Sequence, residues 1–114
     1  MNNRERQARD YFDIWNSKDI EKLKLILSKN VVLEDWEVSA NGIDDVLRVN
    51  QIIFDAIEEI EATPITVLTD EDNLAICIIE IKSKDNVIEV VDILCWDEFN
   101  KISSIKAYRG HGRG

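Results

Sequence analysis

The chain has 114 residues, 45% of them hydrophobic and 32% charged, with a formal net charge of −9. That size and mixture predict one soluble folded domain with a single core, and exclude a disordered chain. The acidic residues are densest from Asp55 to Asp72, and such a surface repels phosphate backbones, which argues against nucleic acid as a partner.

Apolar residues Ala8, Tyr11, Phe12 and Trp15, spaced by three and four, predict a helix over residues 4–16. Ser17 is the expected N-cap of a second helix over 18–28, burying Ile20, Leu23, Ile26 and Leu27. A strand is expected from Val31 to Val38, then a loop through Asn41-Gly42. A third helix, from Asp44 to about Glu61, has an apolar face made of Val46, Leu47, Val49, Ile52, Ile53, Ile57 and Ile60, and Pro64 ends it. Strand-like segments follow at Ile65–Leu68 running on to Leu74–Lys82, at Val87–Trp96 and at Ile102–Tyr108, with polar linkers of hairpin length. Three N-terminal helices packed on a curved antiparallel sheet, an α+β class, are the expected layout, over a single domain of residues 1–110. His111 to Gly114 read as a loose tail, so His111 has no evident chemical role.

Charges interrupt every long apolar run, so no membrane association is expected. The opening Met-Asn-Asn-Arg-Glu-Arg lacks the apolar centre of a signal peptide, which makes a cytoplasmic address the default. Cys77 and Cys95 lie in apolar strands without CxxC spacing and read as reduced thiols rather than metal ligands. Phosphate loops, nucleophile elbows and zinc spacings are absent from the sequence.

Asp92 is the most informative residue. Strand alternation puts Ile88, Val90, Asp92, Leu94 and Trp96 on one face, so the carboxyl has no polar neighbour beside it. A carboxyl in that position must find a partner or keep its proton, and a neutral carboxylic acid can donate a hydrogen bond. It is either part of a site or a buried polar anchor.

Two stretches resemble the NTF2-like superfamily, in its ketosteroid isomerase and SnoaL-like branch. One is Tyr11-Phe12-Asp13-Ile14-Trp15-Asn16-Ser17-Lys18-Asp19 with Val31-Val32-Leu33-Glu34-Asp35. The other is Val91-Asp92-Ile93-Leu94-Cys95-Trp96-Asp97-Glu98 with Asn100 through Gly110. The resemblance implies the cone-shaped fold of that superfamily. Position by position, it lays the isomerase's tyrosine donor on Tyr11, its general base on Asp35 and its protonated aspartic acid on Asp92. The implied chemistry is cofactor-free proton transfer next to a carbonyl: Asp35 removes an α-proton while Tyr11 and neutral Asp92 hold the enolate oxygen.

Trp36 beside Asp35 is bulky for this loop. If Trp36 fills the core, Asp35 points at solvent. Arg109 stands where the isomerase has an apolar residue; it could pair with Asp92 or Asp35, or bind an acidic substrate group. Trp15, Trp36, Phe54, Leu94, Trp96, Ala107 and Arg109 are the candidate ligand contacts. The resemblance leaves three functions open. They are an isomerase or cyclase acting on an apolar small molecule, a binding or dimerisation module without turnover, and a hydratase or epoxide hydrolase using Asp92 with Arg109. Neither metal nor cofactor is expected. Relatives of this fold imply a homodimer through the outer sheet face, where Val87, Val91, Ile93 and Cys95 lie, interrupted by Glu89.

Overall fold

The computed structural model describes residues 3–111. Its elements, in order, are α1 (Asn3–Ser17), α2 (Ile20–Ile26), β1 (Leu27–Glu34), β2 (Ser39–Asn41), α3 (Ile43–Ala56), β3 (Glu61–Thr69), β4 (Leu74–Lys82), β5 (Val87–Trp96) and β6 (Ile102–Arg109). The six strands form one sheet in the order β2-β1-β6-β5-β4-β3. The expected α+β class holds, with two corrections. Strands β1 and β2 separate α2 from α3, so the helices are not consecutive. The sheet is not wholly antiparallel either: β1 runs parallel to β6, while β2 and β3–β6 pair antiparallel. Strand β1 has its neighbour in sequence, β2, on one side and the last strand, β6, on the other, and the long connection between β1 and β6 allows that pair to be parallel.

Helix α1 buries Ala8, Tyr11, Phe12 and Trp15, the stripe its spacing predicts, and packs on β3 and β4. Ser17 closes that helix instead of opening the next: its hydroxyl donates to Ile14 O at 2.6 Å. Lys18 then takes the left-handed conformation at φ 62°, and Asp19 is the N-cap of α2, accepting from Lys22 N at 3.1 Å. Leu27, expected in α2, is buried in β1 instead, and that strand ends at Glu34 rather than Val38.

Helix α3 stops at Ala56, five residues earlier than its apolar spacing predicts. Asp55, Glu58 and Glu59 crowd the end where the helix dipole disfavours negative charge. Gly42, at φ 88°, supplies the entry turn that an L side chain would resist. Pro64 lies inside β3 rather than ending a helix. The sheet tolerates it because β3 is an edge strand, and the register shifts between Pro64 and Thr66.

The core lies between the helices and one sheet face, where Phe12, Leu23, Ile79, Leu94 and Ile102 are the largest sealed side chains among those described. No described helix is long and apolar enough to cross a membrane. Of the expected tail, residues 112–114 lie outside the described residues, and His111 is exposed.

Candidate functional site

The layers do not close completely at one end of the sheet. There α3 ends, β3 and β5 begin, and β4 and β6 finish, leaving a cavity of about 190 Å³. Its walls are mostly aliphatic, with Ile53, Ile57 and Ile60 on one side and Ile79, Ile81, Ile88 and Val90 on the other. A cavity of roughly 150 Å³ lined by such residues holds a single benzene, so this one suits a molecule of one or two rings.

Three acids and one phenol reach the cavity. Tyr11, from the buried stripe of α1, and Asp92, from the inner face of β5, both line it. They are 5% and 7% exposed. Asp92 lies between Cys77 of β4 and Ala107 of β6 in the sheet register. Among the described residues, neither the phenol oxygen nor the carboxyl makes a hydrogen bond or an ion pair. No sealed side-chain polar atom is left unpaired either, so both groups turn their polar atoms to open cavity space. Burial pushes the Asp92 carboxyl up to about 7, helped by the negative charge of Asp35. Burial also drives the Tyr11 phenol far above its ordinary value, with Asp92 and Cys77 adding to the effect, so it remains an O–H donor. The Cys77 thiol is pushed up to about 12 by burial and by Asp92, and it stays protonated and unreactive.

Asp35 lines the same cavity from the turn after β1 and is half-buried. Its Oδ1 accepts from Glu37 N and Val38 N, each at 2.7 Å, which fixes the carboxylate at the mouth. Strand alternation ends at Glu34, so Asp35 and Trp36 are not forced to opposite faces. Trp36 also lines the cavity, at 40% exposure, and does not displace Asp35. Glu37 completes this edge.

Of the remaining candidate contacts, Trp15 and Ala107 line the cavity. Phe54, Leu94, Trp96 and Arg109 do not. Phe54 packs edge-on against Trp15 with ring centroids 5.0 Å apart. Leu94 is sealed in the core, and Trp96 lies under the Arg4 guanidinium, 4.9 Å from the ring centroid. Arg109 is exposed opposite Val90, beyond the cavity's edge, and pairs with neither Asp92 nor Asp35.

Sequence reasoning missed Asn50. It is buried on α3, lines the cavity, accepts from Trp15 Nε1 at 2.9 Å and donates to Val46 O at 2.9 Å. The available signal was a polar residue set one turn after Val46 on the apolar stripe. Asn16 was also underrated: its side-chain amide pairs with both the O and N of Ala62 at 2.7 Å, as another strand would. Lys18 lies over the Trp15 and Phe54 rings and donates to Ile60 O. Together they tie the end of α1 to the segment that lines the cavity beyond α3.

No three described His, Cys, Asp or Glu side chains gather as a metal centre would need.

Residues 8–103 match the SnoaL-like domain family. No curated protein sequence matches the chain. Among solved structures, a provisionally named ketosteroid isomerase from Kribbella flavida superposes with a TM-score of 0.82 at 22% identity, over 94% of this chain and 77% of that one. A provisionally named isomerase of the SnoaL-like family from Agrobacterium tumefaciens gives 0.80 at 14% identity, over 91% and 94%. SalBIII, an epoxide hydrolase/cyclase-like enzyme of pyran ring formation in the polyether salinomycin, gives 0.76 at 16%, over 94% and 90%. Likeness at these identities fixes the fold.

Proposed function

The chain belongs to the SnoaL-like domain family, and on that premise we propose that its cavity binds an apolar carbonyl compound of one or two rings and catalyses proton transfer next to the carbonyl. Asp35 takes a proton from the α-carbon. The electron pair of that C–H bond moves into the enolate, and the oxygen that gains charge accepts hydrogen bonds from Tyr11 and protonated Asp92. In a substrate with a β,γ double bond the enolate is a dienolate, and return of the proton from Asp35 to the γ-carbon moves that double bond into conjugation, completing an isomerisation with nothing consumed. The observation that carries this reading is the pair of buried, unpartnered donors, Tyr11 and Asp92, facing the same cavity as the more solvated Asp35. Donors that must stay protonated lie dry and the base that must stay ionised lies wet, the division of environments this chemistry needs.

A binding module without turnover is the second reading. It is favoured by the two backbone hydrogen bonds already held by Asp35 Oδ1, which tie up part of the base. The Asp92–Arg109 hydratase or epoxide-opening alternative has no support in the site, because Arg109 lies outside the cavity. Within the same proposal, the protein works in the cytoplasm as a homodimer through the outer sheet face.

The test is exchange of the α-protons of 2-tetralone in D2O alongside binding of 2-naphthol. Exchange above the buffer rate, lost in Asp35→Asn, supports the enzyme. Naphthol binding without exchange supports the module, and absence of binding sinks both.

A further inference from the structure

The mouth of the cavity carries a charge pattern of which the proton-transfer reading uses only Asp35. Asp35, Trp36 and Glu37 are consecutive, and all three line the cavity where it opens. Trp36 offers a partly exposed aromatic ring between two carboxylates, the surroundings that attract an organic cation. Neither carboxylate is in an ion pair: Asp35 is held by backbone N–H groups alone, and Glu37 makes no ion pair among the described residues. No Lys, Arg or His is among the lining residues. Deeper in, the Asp92 carboxyl is buried and faces the same space without a partner, adding no charge while it keeps its proton. Glu58, Glu59 and Glu61 flank the lining residues Ile57, Ile60 and Ala62 in the chain, so the surroundings of the opening add negative charge.

We infer that the ligand of this cavity is an amphiphile with a protonated amine, its apolar rings among the isoleucines and its ammonium over Trp36 between Asp35 and Glu37. A carboxylate or phosphate on the ligand would meet unpaired negative charge on one side of the mouth, while cations stand outside the lining: Lys18, over Trp15 and bonded to Ile60 O, and Arg109 on the sheet face. This inference rests on the reading of the cavity as a ligand site and adds the charge of what it takes.

The test uses three naphthols of one shape on the full chain at low salt, by calorimetry: 6-(aminomethyl)-2-naphthol, 6-(hydroxymethyl)-2-naphthol and 6-hydroxy-2-naphthoic acid. The amine binds about tenfold tighter than the acid, the neutral compound falls between them, and both Glu37→Gln and added salt narrow the ratio. Glu37 is exposed, so its replacement leaves the fold intact. Equal or tighter binding of the acid overturns the inference and points to Arg109 as the selector. A ratio unchanged in Glu37→Gln overturns it too. Binding of the neutral naphthol with no preference for charge overturns this inference alone, whereas failure of all three to bind overturns the site with it.

Discussion

The indole N–H of Trp15 donates to Oδ1 of Asn50 at 2.9 Å, joining the last turns of α1 to the middle of α3 beside the cavity. Both partners are buried, so the bond is shielded from competing water. Trp15→Phe removes the donor and leaves the Asn50 oxygen unpaired, which costs about 1–3 kcal/mol beyond the lost ring volume. Urea unfolding of Trp15→Phe, Asn50→Leu and the double variant measures it. The double variant is less unstable than the sum of the two single ones, and strict additivity would contradict the account.

Asp92 makes stability depend on pH. Its carboxyl is raised from the ordinary 3.8 to about 7, so the folded chain holds a proton that the unfolded chain has released between those values. The contribution is fully present below about pH 4, declines as pH rises, and is gone above about 7, an effect on the order of 4 kcal/mol. Asp92→Asn removes this slope. Relative to the parent chain it is more stable at pH 8 than at pH 4.5, as read by denaturant midpoints in the two buffers. Parallel pH profiles for the two chains would contradict the burial argument.

Binding of 2-tetralone, whose carbonyl oxygen can only accept, follows the same proton. It is tightest below pH 7 and weakens as Asp92 ionises, because a carboxylate cannot donate to the carbonyl oxygen that a carboxylic acid would bond. Tyr11→Phe weakens binding at every pH by about tenfold, the worth of one buried hydrogen bond. In Asp92→Asn binding is modestly weaker but flat with pH. Fluorescence titration across pH 5 to 8 separates these outcomes.

The outer sheet face carries contiguous apolar side chains. Ile76 pairs with Leu68 on one side and Ile93 on the other, and Ile78, Val91 and Tyr108 form the next row. Tyr108 is 57% exposed and Ile76 37% in the single chain. A second copy covering this face is the expected assembly, and Ile76→Lys is expected to yield a monomer in sedimentation velocity. A parent chain that sediments as a monomer would contradict it.

Much of the fold was legible because burial imposes periodicity. Ala8 to Trp15 repeat with the period of a helix and Ile88 to Trp96 with that of a strand, so Tyr11 and Asp92 could be assigned to inner faces before any coordinates. Ends were less legible, because alternation carries no information where an element stops. Asp35 and Trp36 looked mutually exclusive as cavity residues only while β1 was extended past Glu34. Ile57 and Ile60 fitted a longer α3 but line the cavity from the connection after it. Asn50 escaped notice because a single polar residue in a helix stripe is ordinarily solvent-facing. Its partner Trp15 is 35 positions away in sequence, a separation that spacing rules cannot reach. Arg109 was assigned to the site through the resemblance, but it lies beyond the cavity, because how far a cavity extends along a strand is set by the packing around it.

The most direct measurement is a carbon-13 NMR titration of the aspartate carboxyls, with Asp92→Asn used to identify the Asp92 signal. The account predicts a midpoint near 7 for Asp92 in the free protein, rising when the acceptor-only ketone 2-tetralone occupies the cavity. A midpoint in the ordinary range of aspartate, unmoved by the ligand, would contradict it.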